Sequence, residues 1–389
     1  MKTPLFQLQY EFDEGNAYTE TGSDKGAKLS GKSITDPDVK QILDETSDLT
    51  PKEWLRWLNI NAQSHPSMLV VPLSTVTPVA LLYRLEEQNP KIVFITRPLH
   101  TIMQLNEYLY ALNGKVANGT YLCCHSMTAV LKRKMMEMRY PWGIRTLAIG
   151  LHYLWHRVCP KLRMTRKLYF TLTQGKNRTF NRVEILGRLY RAGFEVVDEE
   201  FRSGEFFVTA RKVKAPVQDA EPTGSPIIHL RRKGKDGKEI VVHKFRTMYT
   251  YSEYIQTYMY QYQHLQSGGK FKDDYRVNFW GKFLRRVWLD ELPMVWNMLR
   301  GDLKLVGVRP LSKQYFNLYS PEMQELRTRT KPGLLPPFYY ERKSPETLEE
   351  VQESERRYLE AYLAHPFKTD WQYFWGIVGN IVFHKKHSS

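Results

Sequence analysis

Short, uninterrupted apolar runs between helical patterns are the feature that most constrains the fold of this chain. Three of them, Met68–Leu73, Lys91–Thr96 and Gly119–Cys124, have the length and sharp ends of strands buried on both faces. Helical stretches lie between and after them, as in Thr101–Leu112, where apolar residues recur at helical spacing. Because alternating strands and helices build parallel sheets, the sequence predicts an α/β domain in this region.

Changes in composition divide the chain. Residues 1–60 are mostly polar and predict a weakly ordered leader with one short helix, which Thr50, Pro51 and Glu53 would begin. The α/β domain then covers residues 61–214. A linker that contains Pro and Gly occupies residues 215–223, and a second domain covers residues 224–389.

The last part of the α/β domain combines a helix with a pair of strands. The helix Glu184–Tyr190 is followed by Phe194–Val197 and Phe206–Ala210, which read as strands joined through Ser203 and Gly204. This ending resembles that of class I S-adenosylmethionine methyltransferase domains, although the Gly-x-Gly-x-Gly loop that holds their cofactor is missing. The resemblance implies a degenerate methyltransferase-like, Rossmann-like domain without that activity, and an unrelated α/β domain is the alternative.

The bulk properties limit the partners and the compartment. With 57 Lys and Arg against 41 Asp and Glu, the net charge is +16, which suits nucleic acid, anionic lipid or phosphorylated small molecules. The cysteines Cys123, Cys124 and Cys159 show no C-x-x-C spacing, so we expect reduced thiols without a disulfide or metal role. The first residues lack the apolar core of a secretory signal, and we expect no ordinary transmembrane helix.

Two apolar, aromatic stretches predict contacts with a membrane interface. Trp142–Val158 combines helical spacing and tryptophans with flanking basic residues, and Trp371–Phe383 ends beside a basic tail. The charges within the first stretch argue against spanning. Core helices are the commoner use of such patterns, so a soluble core helix for the first and a docking helix for the second stay open.

A run near residue 290 carries the strongest chemical signal. Asp290 and Glu291 precede Pro293, which suits the first turn of a helix, and the carboxylates would stand at the end where the helix dipole stabilises anions. Adjacent carboxylates can divide two tasks of phosphoryl transfer, attack on phosphorus and binding of a divalent cation. Alone, such a pair is more often a helix cap, so the hypothesis depends on the surrounding pattern.

Basic residues surround this run along the sequence. Lys244–Met248 follows a predicted hairpin of the strands Ile227–Leu230 and Ile240–His243, Trp280–Arg286 predicts a basic helix, and Arg309 lies in a turn before a proline. Arginine offers forked donors that match phosphate oxygens, so this combination favours a phosphate-handling site.

Lys244–Met248 and Leu289–Pro310 together resemble the motifs of the bacterial sugar transferase family, the monotopic phosphoglycosyl transferases, within residues 224–389. The resemblance implies a small α+β domain that transfers a sugar 1-phosphate from a nucleotide-diphosphate sugar to a polyprenol phosphate, with Mg²⁺. It implies that Asp290 is the nucleophile, which becomes a covalent phosphosugar intermediate, and that Glu291 shares the metal site with it.

The resemblance also suggests further site residues. Lys244, Arg246 and Arg309 match family positions near the phosphates, and we assign Arg285 to the same group. A later Asp-x-x-Tyr motif of the family has Glu355 in place of the aspartate. Glu355 and Arg329 are additional candidate site residues.

Two departures from the family pattern affect the membrane contact and the substrate. Where the family usually has an apolar re-entrant helix, Lys212–Glu221 is polar, and Lys331–Pro337 replaces a Pro-Gly-Ile-Thr-Gly segment. We therefore predict a monotopic or peripheral enzyme on the cytoplasmic face of the bacterial inner membrane that initiates a lipid-linked glycan. The alternatives are a non-catalytic membrane-associated partner in glycan assembly and a basic nucleic-acid-binding protein. No helix-turn-helix or finger pattern supports the last, so we expect no nucleic acid partner.

Overall fold

The computed structural model describes residue 34 and residues 36–62, 65–75, 77–85, 89–219, 222, 224–256, 258–259, 274–341, 345 and 347–384. Most of the predicted leader, residues 1–33 and 35, lies outside these described residues. The chain divides into two compact units. Unit 1 comprises Met1–Gly224 and Tyr249–Gln261, and unit 2 comprises Ser225–Met248 and Tyr262–Ser389.

Unit 1 is built around a five-stranded sheet in the order β1-β2-β3-β5-β4. Its strands are β1 (Met68–Val71), β2 (Ile92–Ile95), β3 (Tyr121–Ser126), β4 (Phe194–Arg202) and β5 (Glu205–Lys212). β1, β2 and β3 are parallel, and β5 runs antiparallel to both β3 and β4. All four residues of β2 are buried, as expected of a strand covered on both faces. The three apolar runs are therefore confirmed as strands of a mixed α/β unit.

The predicted strand pair at the end of unit 1 is confirmed as the hairpin β4-β5. Its tight turn places Ser203 at φ 48° and Gly204 at φ 83°, two successive left-handed residues that match the twist of the paired strands. Arg202 pairs with Glu205 across this turn. Both strands extend further than the apolar runs indicated, because pairing in the sheet also accommodates their polar residues.

Eight α-helices whose bounds the structure describes belong to unit 1. They are α1 (Pro37–Thr46), α2 (Pro51–Asn61), α3 (Pro78–Leu85), α4 (Leu105–Lys115), α5 (Ala129–Arg139), α6 (Trp142–Tyr153), α7 (Arg163–Thr173) and α8 (Arg182–Arg191). The helix predicted after Thr50 is confirmed as α2, and Thr50 and Glu53 form its capping box. The region assigned to the leader contains a second helix, α1, which the sequence analysis missed. Val39 and Ile42 of α1 join the hydrophobic core beside Trp54.

Unit 2 is a small α+β unit with two short sheets. β6 (Ile227–Lys233) and β7 (Glu239–Phe245) form an antiparallel hairpin, and β8 (Lys304–Val306) pairs in parallel with β9 (Gly333–Leu335). Its helices are α9 (Phe279–Arg286), α10 (Met294–Leu299), α11 (Lys313–Phe316), α12 (Pro321–Thr328), α13 (Leu348–Ala364) and α14 (Pro366–His384). The predicted hairpin and the predicted basic helix are thus confirmed. Tyr358, Leu359 and Ile377 from α13 and α14 pack with Val306 of β8 in the main core of this unit.

The two predicted membrane-contact stretches form helices with exposed apolar side chains. Trp142–Val158 consists of α6 and a π-helical turn, Leu154–Val158, and no residue of α6 is buried. The open alternative of a buried core helix is therefore wrong for α6. Trp371–Phe383 lies within α14, where Trp371 and Trp375 are exposed. Within the residues that the structure describes, no helix combines the length and the apolarity needed to cross a membrane.

Candidate active site

The two carboxylates of the site lie in a 3₁₀ turn, Leu289–Glu291, between α9 and α10. The preceding residue, Trp288, has φ 61°, a left-handed conformation that costs about 1 kcal/mol or more for a side chain of this size. Its ring packs against Tyr339 with 4.6 Å between centroids, which holds the turn in place. Strained backbone of this kind is concentrated at functional sites.

The carboxylates were predicted to stand at the N-terminal end of a helix, but they lie in a separate turn before it. Pro293 is the cap residue of α10, a helix of only six residues, and the carboxylates precede it in their separate turn. A helix this short provides little dipole. The positive charge near Asp290 and Glu291 therefore comes from basic side chains and not from the helix.

Glu291 is buried between two cations. The Nζ atom of Lys244, at the end of β7, donates to Glu291 Oε1 at 2.5 Å, and Arg309 Nη2 lies 3.6 Å from the same oxygen. Burial lowers the pKa of Lys244, and the neighbouring Glu291 opposes that shift. These contacts join three of the predicted site residues in one cluster.

Asp290 is also buried, but one of its oxygens is left without a partner. Its Oδ1 atom is inaccessible to solvent and accepts no hydrogen bond. Burial raises the pKa of Asp290, and the charge of Glu291 raises it further, whereas Lys244 and Arg285 act in the opposite direction. An unpaired, buried carboxylate oxygen is available to a ligand, and a carboxyl group with a shifted pKa in such surroundings is a candidate for a functional site.

Arg285 is held beside the carboxylates by the packing of α9. Its Nε atom donates to Thr247 Oγ1 at 3.0 Å, and burial lowers its pKa while Asp290 opposes that shift. The close approach depends on Gly281, since a Cβ there would lie 2.1 Å from the carbonyl oxygen of Thr247. Sequence reasoning found Arg285 but missed Thr247 and Gly281, whose roles depend on this approach.

Arg246 is attached to the start of unit 2. Its Nε atom donates to the carbonyl oxygen of Ser225 at 2.8 Å, and its backbone N–H donates to that of Pro226 at 2.7 Å. These contacts hold the chain that enters β6 against the end of β7. A direct role of Arg246 with phosphate stays a prediction.

The two additional candidates, Glu355 and Arg329, occupy different environments. Glu355 is fully buried and forms an ion pair with Arg327, whose Nη2 atom donates to the carbonyl oxygen of Arg309 at 2.6 Å. Arg329 is exposed and pairs with Glu325 at 2.7 Å. Glu355 thus reaches the cluster through Arg327 and the backbone of Arg309. Arg329 instead pairs with a residue one helical turn earlier, and this ion pair does not connect it to the cluster.

Asn297 is a structural residue of the site that sequence reasoning did not assign. It is completely buried in α10, and its Nδ2 atom donates to the carbonyl oxygen of Val241 at 2.7 Å. Its Oδ1 atom accepts from the backbone N–H of His243 at 3.0 Å. These bonds connect α10 to β7, and so connect the turn of the carboxylates to the strand that carries Lys244. The sequence signal that could have identified Asn297 is an amide side chain among the apolar residues of a short helix.

Asp290 and Glu291 are the residues of the cluster that would hold a magnesium ion. The described residues contain no group of three or more His, Cys, Asp and Glu side chains placed as a metal site. Mg²⁺ usually keeps several waters and binds one or two carboxylates together with substrate phosphates. The unpaired oxygen of Asp290 and the adjacent Glu291 fit that donor set.

Comparisons with known proteins agree with the resemblance of the C-terminal part of the chain. Residues 210–383 match the family model described as bacterial sugar transferase, which confirms the resemblance found from the motifs. The chain is 37% identical over 112 residues to an uncharacterized sugar transferase of Bacillus subtilis, covering 28% of this chain and 49% of that protein.

Two further relatives have more specific names. One is a UDP-glucose:undecaprenyl-phosphate glucose-1-phosphate transferase of Xanthomonas campestris, 34% identical over 113 residues, with 28% of this chain and 22% of that protein covered. The other is an undecaprenyl-phosphate galactose phosphotransferase of Salmonella typhimurium, 32% identical over 117 residues, with 28% and 24% covered. The matched region thus spans between about a fifth and a half of these relatives.

Proposed function

We propose, from the match of residues 210–383 to the bacterial sugar transferase family, that this protein is a phosphoglycosyl transferase. It transfers a sugar 1-phosphate from a nucleotide-diphosphate sugar to a polyprenol phosphate and so initiates a lipid-linked glycan. The observation that carries the proposal is the buried, unpaired Oδ1 atom of Asp290 beside a cluster of cations. Relatives whose names include undecaprenyl phosphate support the class of lipid acceptor.

The proposed reaction has two displacements at one phosphorus atom. Asp290 attacks the phosphate that carries the sugar, the bond from phosphorus to the bridging oxygen breaks, and a nucleoside monophosphate leaves. An oxygen of the polyprenol phosphate then attacks the aspartyl phosphosugar, which releases the carboxylate of Asp290 and yields a polyprenyl diphosphate sugar. Covalent catalysis of this kind divides one difficult displacement into two easier ones.

The cationic side chains stabilise the charge on the phosphate oxygens. Lys244, Arg285 and Arg309 lie close enough to the carboxylates to interact with them electrostatically, so a phosphate that reaches Asp290 would meet the same cations. Glu291 holds Lys244 in position. Asp290 and Glu291 would also hold Mg²⁺, which supplies further neutralisation of the diphosphate.

A lipid acceptor lies in a membrane, so we propose that the protein contacts the membrane surface. Phe367, Trp371 and Trp375 are exposed at intervals of four residues on α14, so they share one face of the helix. Aromatic side chains of this kind suit the headgroup region of a bilayer. We therefore place the protein on the cytoplasmic face of the bacterial inner membrane, with contacts through Trp371–Phe383 and Trp142–Val158.

We also propose that unit 1 is Rossmann-like. Its parallel strands β1, β2 and β3 alternate with helices, and the antiparallel hairpin β4-β5 completes the sheet. No cofactor is assigned to it.

A trapping experiment tests the proposed reaction. The protein is incubated with a panel of nucleotide sugars that carry a radioactive phosphate next to the sugar, in detergent with Mg²⁺, and the label that stays on the denatured protein is measured. Wild type should become labelled and release nucleoside monophosphate, and Asp290→Asn should lose about 10³-fold or more in both. Glu325→Gln, which neutralises an exposed carboxylate, is the matched control. Labelling or full transfer by Asp290→Asn would remove the nucleophile assignment.

A further inference from the structure

Helix α6 in unit 1 has its apolar side outward. Ile144, Leu147 and Leu151 recur at intervals of three and four residues, and Leu147 and Leu151 are 65% and 57% exposed. The other side of the helix faces the unit, where Ile149 and His152 line a small cavity with α5. In a soluble amphipathic helix the apolar stripe faces the core, so the orientation of α6 is the reverse of the usual one.

Helix α7 repeats this arrangement. Met164, Leu168 and Leu172 are spaced four residues apart, and all three are more than half exposed. The opposite side carries Tyr169, which is fully buried and whose hydroxyl group lies 3.0 Å from His156 Nδ1 in the turn after α6. The contact holds α7 to the end of α6 by its inner side and leaves the apolar stripe outside.

Along the sequence, the segment that contains both helices carries charge of a single sign, although Lys161 and Arg182 pair with Glu184 and Glu199 outside it. Residues 138–183 contain ten Lys and Arg side chains and no Asp or Glu, although the chain as a whole has 41 acidic residues. Arg139, Arg166 and Lys167 are among the exposed ones. Two copies of this surface would repel each other, whereas a surface with negative headgroups over an apolar interior complements both the charge and the exposed side chains.

We propose that α6 and α7 form a membrane dock, defined as Trp142–Thr173, that selects bilayers containing anionic lipid. The apolar side chains enter the region between headgroups and acyl chains, and the basic side chains stay among the headgroups. The dock lies outside the segment that matches the transferase family, so its binding does not depend on the proposed chemistry.

Vesicle flotation of the full chain tests the dock. Vesicles of phosphatidylcholine alone are compared with vesicles that also contain phosphatidylglycerol, and the bound fraction is measured against lipid concentration. Leu147→Glu with Leu168→Glu should weaken binding to the anionic vesicles roughly a hundredfold. The double variant loses two exposed apolar side chains and gains two negative charges, which the anionic headgroups repel. Ile60→Glu changes an exposed apolar residue of α2 in the same unit and should bind like wild type.

A charge variant tests the lipid selectivity separately. Arg166→Glu with Lys167→Glu should lose the preference for anionic vesicles while its unfolding temperature stays near that of wild type. Asp290→Asn should bind vesicles like wild type, so a failure of the dock and a failure of the proposed reaction are distinguishable.

Three outcomes would overturn the dock. The first is wild-type binding by the Leu147→Glu, Leu168→Glu protein, and the second is equal binding of wild type to neutral and anionic vesicles. The third is a lipid-free dimer of wild type that the same substitutions dissociate, which would assign the surface to a second copy of the chain.

Discussion

The buried ion pair between Arg327 and Glu355 gives the sharpest test of how the site is held. Both side chains are almost inaccessible to solvent, and Arg327 also donates to the carbonyl oxygen of Arg309. Replacing Arg327 by Met leaves the carboxylate of Glu355 buried without its cation. We expect loss of stability together with loss of sugar phosphate transfer, since Arg309 contacts Glu291 in the carboxylate cluster.

The size of the effect follows from the environment of Glu355. Burial already raises its pKa above the usual 4.5, and Arg327 opposes that shift. Without Arg327 the carboxyl group can avoid a buried charge by binding a proton, which at about pH 7 costs up to about 3 kcal/mol more than in wild type at 1.36 kcal/mol per pH unit. The lost hydrogen bond to Arg309 adds about 1 kcal/mol. The total, up to about 4 kcal/mol, compares with about 3 to 5 kcal/mol for breaking a buried pair.

The sign of the pH dependence is fixed by the raised pKa. A buried carboxyl group with a raised pKa stabilises the folded state at low pH and loses that contribution as pH rises. The destabilisation by Arg327→Met should therefore shrink to about 1 or 2 kcal/mol near pH 5. Urea unfolding of the variant and wild type at both pH values measures it.

Arg329→Met is the matched control, because Arg329 is exposed and pairs with an exposed carboxylate. It should change stability by about 0.5 kcal/mol or less. Arg327→Met with Glu355→Leu removes both charges and should recover much of the stability, but transfer should stay reduced because the bond to Arg309 is still absent. Equal loss from Arg327→Met and Arg329→Met, or a loss that does not change with pH, would refute the reasoning.

Two further predictions concern the carboxylate turn and its support. Asp290→Asn should unfold at a higher temperature than wild type at about pH 7, with the difference shrinking towards about pH 4, because burial raises the pKa of Asp290 and its charged form destabilises the fold; a lower unfolding temperature near pH 7 would contradict this. Gly281→Ala should destabilise by about 2 kcal/mol or more and reduce transfer, because its Cβ would meet Thr247 and displace Arg285. Gly150→Ala, in a helix with open space around it, should be nearly neutral or slightly stabilising, and thermal unfolding of both variants measures the contrast.

Several local features of the fold could be predicted from the sequence because their causes lie within a few residues. The capping box of Thr50 and Glu53 begins α2, and the left-handed residues Ser203 and Gly204 connect β4 to β5. Helix α1 was missed because its polar surroundings hid Val39 and Ile42, which are buried only by packing against the sheet.

The candidate site could likewise be predicted in part from the sequence. Its motifs, read together, were enough to select Asp290, Glu291 and the basic residues around them. They could not show that Glu291 is paired with Lys244 whereas Asp290 keeps an unpaired oxygen. Nor could they show that Glu355 pairs with Arg327, which donates to the carbonyl oxygen of Arg309.

The sequence by itself indicated the strands of unit 1, the two hairpins and the resemblance of the C-terminal segment to bacterial sugar transferases, because periodicity, caps and spaced motifs are local properties of the chain. The tertiary structure alone decided which carboxylate oxygen is unpaired and which side of α6 faces outward. Those properties depend on contacts between residues far apart in sequence, as between Lys244 and Glu291, and on desolvation, which exists only after packing.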